Sequence, residues 1–405
     1  MDYATAADLL KKHNQSHLLQ YYGELSGEER EELLSHIARI DFSVLDNIVS
    51  GKREVGELSP ADALSVSEVE ARKDAFKRSG LNALKSGKVA AVLLAGGQGT
   101  RLGFNAPKGM FDIGVNVRLP IFACLINNLL QPVKEAGRYA HLFIMTSFLN
   151  DGQTRDFFAE NGYFGYDPAK VHFYVQKTAP AISFDGKILL EEKYRPVITP
   201  NGNGGWYGSL VASDCGRILK EEGIEWLNVF GVDNVLQRIC DPVFIGAALS
   251  SGLPCAAKVV GKSCAEEKVG VLCKEDGTPA IVEYFEMPED KRGELAKDGG
   301  LKYRYGVTLN YLFNVNALDG ASVNDLPYHL SSKKIACLSD GKRIEPAEPN
   351  GYKLETLAVD IVKLMGGCLG VEVEREREFA PVKNAVGVDS VETARQLLIK
   401  NGVKI

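Results

Sequence analysis

Lys88–Gly114 reads KVAAVLLAGGQGTRLGFNAPKGMFDIG, and its two halves have opposite textures. Val89–Ala95 is an unbroken apolar run, as a strand must be when both faces of a parallel sheet are covered. The second half packs Gly96, Gly97, Gly99 and Gly103 into one short stretch. A strand running into such a turn puts bare backbone N–H groups at the carboxyl edge of the sheet, where open α/β folds bind ligands. Two familiar phosphate motifs fail here. G-x-G-x-x-G finds Leu102 at its third glycine, and the P-loop pattern finds Phe104 and Asn105 after Gly103 instead of lysine and a hydroxyl residue. What remains is G-G-x-G-T-R-L-G followed by Pro107-Lys108. Arg101 offers a planar fork for phosphate oxygens and Lys108 a compact charge, a pair suited to a triphosphate. The plainer reading is a tight turn with two solvated bases.

Outward from this stretch the same texture recurs. His141–Ser147, Val171–Gln176 and Glu225–Asn234 are comparable apolar runs, separated by amphipathic stretches at Leu119–Glu135, Asp151–Glu160 and Tyr207–Glu221. Strand–helix alternation at this spacing predicts an α/β fold with a Rossmann-like, doubly wound, mostly parallel sheet. From Cys255 the strands shorten, and Glu275-Asp276-Gly277-Thr278 reads as a hairpin turn between two of them. Helices are expected at Leu354–Met365 and from Ser390, with a strand at Gly370–Glu376 between them. Residues 1–87 read as helical: Leu9, Leu10, His13, His17 and Leu18 mark one face and Leu33, Leu34, Ile37 and Ile40 another. Ser26 and Glu29 have the spacing of a capping box. The expected organisation is an N-terminal helical layer (1–87), a catalytic α/β domain (88–340) and a small C-terminal α+β part (341–405).

Composition limits the partners. The formal net charge is −6 with both signs interspersed, which argues against a nucleic-acid groove and leaves room for a local basic pocket. No run approaches the roughly 18–20 apolar residues that span a bilayer, and Met1–Gln15 lacks a signal-peptide pattern. No membrane partner and a cytoplasmic location are therefore expected. The eight cysteines form no C-x-x-C and the six histidines no metal-binding spacing, so they read as reduced thiols without a zinc site. Glycine is in excess at 41 residues, against about 7% in average proteins, and the loop after Val89–Ala95 holds a share of it.

LLAGGQGTRLG-x-x-x-PKGM-F-D resembles the UTP-dependent sugar-1-phosphate uridylyltransferases, and among them the UDP-N-acetylhexosamine pyrophosphorylases. The resemblance continues in order through Ile144–Ser147, Pro180–Glu192, Pro200–Tyr207, Gly231–Asn234, Lys268–Gly277, Glu348–Glu355 and Phe379–Ala385. It implies a nucleotide-diphosphosugar transferase type of sheet. The implied reaction is attack of a sugar 1-phosphate on the α-phosphorus of UTP, with Mg²⁺, giving UDP-sugar and pyrophosphate. Such a reaction needs alignment and charge neutralisation rather than a protein nucleophile.

The resemblance also implies roles. Backbone at Leu94, Ala95, Gly96 and Gly97 would surround the uracil, and Gln176 would read its edge with a donor and an acceptor. Gly202 and Asn203 would line a nucleotide-contacting turn. Arg101, Lys108 and Lys383 would act on the phosphates, with Lys353 in support. Asp233, emerging from an apolar strand, would hold Mg²⁺, an ion that prefers oxygen ligands and keeps several waters. Gly270, Glu283 and Asn310 would receive the sugar. One position departs from the pattern: where acetamido-sugar members have G-N-x-x-N, this chain has Gly306-Val307-Thr308-Leu309-Asn310. N-acetylglucosamine 1-phosphate is the expected acceptor, with glucose 1-phosphate or galactose 1-phosphate as alternatives and a non-catalytic nucleotide-sugar-binding regulator as a further one.

Overall fold

The computed structural model describes residues 1–46, 55–321, 323 and 326–405. The chain forms two compact units whose borders do not follow residues 87 and 340. Residues 54–176, 206–324 and 358–405 make the larger unit, and residues 1–53, 177–205 and 325–357 the smaller.

Seven strands organise the larger unit: β1 (Val89–Leu94), β2 (Leu142–Thr146), β3 (Val171–Val175), β4 (Trp226–Gly231), β5 (Cys255–Gly261), β6 (Tyr305–Asn314) and β7 (Cys368–Glu372). Their order is β7-β5-β6-β4-β1-β2-β3, with the short strand Ala63–Leu64 beside β7. β6 runs antiparallel to both neighbours, and the other pairs along this path are parallel. Every residue of β1, β2 and β4 is buried, which is why these strands read as continuous apolar runs.

The longer helices of this unit are α1 (Lys73–Lys85), α2 (Ile121–Ala136), α3 (Asp151–Glu160), α4 (Asp214–Glu221), α5 (Pro242–Ser251) and α6 (Val391–Lys400). The stretch expected as one helix at 207–221 is two, Trp206–Val211 and α4, because the Ser213 hydroxyl caps a new start by accepting from Cys215 N at 3.2 Å. α5 was not expected from the sequence. Among the described residues no helix is long and apolar enough to cross a membrane.

The smaller unit packs the helices Tyr3–Lys12 and Gly27–Arg39 around Leu10, Leu33 and Ile37, together with Ile182, Leu190 and Leu354 from distant segments. The Ser26–Glu29 capping box forms in both directions. Gln15 joins the segments with its carboxamide, donating to Gly186 O and accepting from Ile188 N, both at 2.9 Å. The helix expected at 354–365 divides differently. Gly351–Glu355 is a strand paired with His329–Lys333, which buries Leu354, and the helix begins only at Ala358.

Candidate active site

β1 and β4 lie side by side in parallel, with Leu94 opposite Gly231. Their following loops diverge at the point where the strand order reverses, the usual ligand crevice of a doubly wound sheet. The Gly-rich loop leaves β1, and Asp233 follows β4.

The loop is closed by its own backbone. Gly99 N donates to Ala106 O at 2.9 Å and Lys108 N to Gly97 O at 3.2 Å, so Lys108 is carried back to the strand end. Gln176, the residue after β3, donates its backbone N–H to Thr146 O at 2.9 Å, and its side chain reaches over the loop. A Cβ on Gly96 would stand 2.3 Å from Gln176 Nε2, so any larger residue here would push this amide from its place. Gln176 is only 6% exposed, yet its carboxamide meets no hydrogen-bond partner among the described residues. Its amide atoms still reach solvent, so a ligand beside Gly96 finds both a donor and an acceptor open to it.

Charge converges at the same edge. Lys108 Nζ lies 3.9 Å from Asp233 Oδ2, with both side chains partly shielded. Burial pulls the Lys108 ammonium below the ordinary lysine range; Asp233 opposes this, while Lys383 and Arg101 reinforce it. These couplings bring all three cations and Asp233 into one electrostatic group. Lys383 is delivered by the segment after Glu378, which clasps the end of β4. Val235 N donates to Ala380 O at 3.2 Å and Val382 N to Asp233 O at 2.9 Å, and Asn234 bonds Glu378 O and Ala380 N through its side chain. The Lys383 ammonium lies 3.1 Å from Asp389 Oδ2.

The arrangement makes the lysine titration a direct test. We expect ¹³C-methyl NMR of reductively methylated protein to place Lys108 below ordinary lysines. Lys383→Met should raise its pKa by removing a like charge, and Asp233→Asn should lower it further. Unchanged Lys108 titration in both variants would disprove the coupling. A bound polyanion favours the ammonium, so UTP binding on the alkaline side of that pKa should take up protons.

The expected sugar residues divide. Gly270 and Glu283 come together, since a Cβ on Gly270 would lie 3.5 Å from Glu283 Oε1 and 3.3 Å from Val307 Cγ2. Val307 thus stands where an amide was expected. Asn310 is held within the protein. Its side chain is fully buried, accepting from Asn228 Nδ2 at 2.8 Å and donating to Arg238 O at 3.2 Å and Gln237 Oε1 at 3.4 Å. These bonds make it a brace between β6 and β4 and commit both amide hydrogens within the protein.

Gly202, Asn203 and Lys353 belong to the smaller unit. Gly202 has φ +88°, and a Cβ there would fall 2.3 Å from Thr356 O, so the close approach of two backbones already accounts for this glycine. Lys353 sits in the strand Gly351–Glu355, opposite Ser331.

Sequence reasoning passed over the residues that hold this machinery. Lys258, on β5, is 1% exposed and bonds Asp241 Oδ2 at 3.0 Å and Glu378 Oε2 at 2.5 Å, which anchors the start of the Lys383 segment. A lysine in an apolar run was its only signal. Asn150 and Asp389 gave less, since each reads as an ordinary residue ahead of a helix.

A doubly wound sheet with a glycine loop, an amide open to a ligand and three cations gathered at its switch point defines a nucleotide-binding α/β protein. The model of the UTP–glucose-1-phosphate uridylyltransferase family matches residues 50–398, and the chain belongs to that family. Among curated relatives it is 34% identical to the UDP-N-acetylglucosamine pyrophosphorylase of Saccharomyces cerevisiae, covering 96% of this chain and 88% of that one. It is 35% identical to the human UDP-N-acetylhexosamine pyrophosphorylase-like protein 1, over 96% of this chain and 82% of that one. The crystal structure of the uridine diphosphate N-acetylglucosamine pyrophosphorylase of Trypanosoma brucei superposes with a TM-score of 0.84 at 28% identity, covering 98% of this chain and 84% of that chain.

Proposed function

We propose that the protein is a uridylyltransferase that joins UTP to N-acetylglucosamine 1-phosphate, releasing UDP-N-acetylglucosamine and pyrophosphate. The observation that carries this reading is the Gln176 amide, held over Gly96 and open to a ligand, with the Arg101–Lys108–Lys383 group at the same sheet edge. Gln176 and the Gly96–Gly97 backbone bind the uracil. Arg101, Lys108 and Lys383 gather the phosphates, and Gly270 and Glu283 orient the sugar. A phosphate oxygen of the sugar phosphate forms a bond to the α-phosphorus of UTP. The bond from that phosphorus to the bridging oxygen breaks, and the electron pair leaves with pyrophosphate. Burial keeps Cys124 and Cys240 inert, with thiols pushed up to about 12, and the attacking oxygen is already anionic, so the reaction needs no nucleophile from the chain.

Asp233 fits a Mg²⁺ site because its carboxylate stays partly exposed at the strand end and because Mg²⁺ is commonly held by one or two carboxylates with substrate phosphates. The ion would supply charge neutralisation at the α-phosphate. All eight cysteines are free, in keeping with the reducing cytoplasm we assign to the protein.

A second acceptor has support from Val307. A pocket with an apolar side chain in place of an amide discriminates weakly between an acetamido and a hydroxyl group. The named relatives favour N-acetylglucosamine 1-phosphate, and Val307 favours tolerance of glucose or galactose 1-phosphate. Incubation with UTP, Mg²⁺ and each sugar phosphate in turn, with pyrophosphate measured, decides between them. Fastest release with N-acetylglucosamine 1-phosphate is expected. Release with glucose 1-phosphate alone would favour the second acceptor, and release with none would overturn the enzyme reading in favour of a binding regulator.

A further inference from the structure

Asn150 stands one residue before α3, the position at which an asparagine ordinarily caps a helix by accepting from its first N–H groups. Here its side chain makes no capping bond to α3. The carboxamide is 1% exposed and turned the other way, into the Gly-rich loop. Nδ2 donates to Ala95 O at 2.9 Å and lies 3.5 Å from Gly97 O. Oδ1 accepts from Ser147 N at 2.8 Å and from Ser147 Oγ at 3.1 Å, which fixes the amide's orientation.

The consequence follows from peptide geometry. In a trans peptide the carbonyl and the next N–H point in opposite directions. Holding the Ala95 and Gly97 carbonyls toward Asn150 therefore turns the Gly96 and Gln98 N–H groups away from it. Neither of these N–H groups meets an acceptor among the described residues. Gln176 Nε2 lies over Gly96 in the same place. The loop thus presents two oriented backbone donors open to a ligand; Asn150 fixes the first alone and the second together with Lys108 N, which donates to Gly97 O at 3.2 Å.

We infer that Asn150 is a positioning residue for the nucleotide: its carboxamide locks the peptide planes of Ala95–Gly96 and Gly97–Gln98 in the orientation that receives UTP, and it acts on the nucleotide alone. This deepens the function proposed above and rests on it. Preorganised donors of this kind lose their value when the backbone can rotate.

The test is UTP binding by calorimetry together with KM for both substrates, on the full chain. Asn150→Asp keeps the shape and the bonds from Ser147 but sets an acceptor against the two carbonyls. It should weaken UTP binding at least tenfold at pH 8 and leave KM for the sugar phosphate within twofold. Burial raises the pKa of the introduced carboxyl, so acidification should restore the donor and recover UTP affinity. Asn150→Ala should show the same split with no recovery. Ser147→Ala, which removes one of the bonds orienting the amide, is the milder arm should the others fail to fold, and it should weaken UTP binding two- to fivefold. Unchanged UTP affinity in a folded variant, or equal losses for both substrates, overturns the inference. Failure of the unmodified protein to bind UTP would instead bring down the uridylyltransferase reading, and this inference with it.

Discussion

Asp233→Asn should lower kcat by about 10²-fold while the protein remains folded. The substitution keeps the side chain's shape and the backbone bond from Val382 N to Asp233 O, so the clasp between the end of β4 and the Lys383 segment is retained. What disappears is one negative charge among three cations. An amide is a poor ligand for Mg²⁺ beside a carboxylate, so the Mg²⁺ concentration for half-maximal rate should rise as well. Lys383→Ala should lower kcat by at least tenfold without that Mg²⁺ dependence, because it removes a phosphate contact and leaves Asp233 in place. Steady-state kinetics over a Mg²⁺ series separate the two. Wild-type rates in both variants would show that the charge group at this edge does not act in the reaction.

The second large effect is on stability. Lys258→Met should cost about 3–5 kcal/mol, because it removes the buried cation shared by Asp241 and Glu378 and leaves only the more exposed Arg238, 3.8 Å from Glu378 Oε1, beside them. Burial works against the Lys258 ammonium, and the two carboxylates more than offset it, so its pKa lies above the usual lysine value. That contribution is fully present below the unfolded lysine pKa of about 10.4 and is lost as pH rises through the folded value. Burial likewise opposes the Asp241 carboxylate, and Lys258 wins, holding its pKa below the usual range. This part is present above the unfolded value of about 3.9 and is lost as pH falls through the folded one. The chain has two tryptophans, Trp206 and Trp226, both buried in the larger unit, so urea unfolding followed by fluorescence reports on that unit alone. Adding Glu378→Gln should restore part of the loss, since one of the stranded charges goes with it. A midpoint unmoved by Lys258→Met would refute the anchoring role.

How far the sequence reached can be judged residue by residue. β1, β2 and β4 were legible because strands covered on both faces are apolar throughout. The same property hid α5. Pro242–Ser251 is apolar nearly all round, so it has no polar face to reveal a helical period, although Asp241-Pro242 and Gly252 carry the usual start and stop signals. The helix expected at Leu354–Met365 began too early, taking in the last two residues of the strand Gly351–Glu355, whose partners His329–Lys333 and Ile182–Ser183 are not adjacent to it in the chain. At the site, the loop and Asp233 could be placed from the strands that precede them. Asn310 could not, because sequence does not distinguish an asparagine facing a ligand from one consumed by Asn228 and Arg238. Asn150 was invisible for a related reason: its position predicts a cap, and only the folded loop shows which carbonyls it takes.

The smaller unit is assembled from three stretches separated by residues 54–176 and 206–324. During synthesis its first helices leave the ribosome with Leu10, Leu33 and Ile37 ready for burial, yet Leu354, which shares that core, has still to be translated. At about 5–20 residues per second the wait is on the order of tens of seconds. For that interval an apolar surface stands open in the nascent chain, where it is a natural substrate for chaperones and a liability for aggregation.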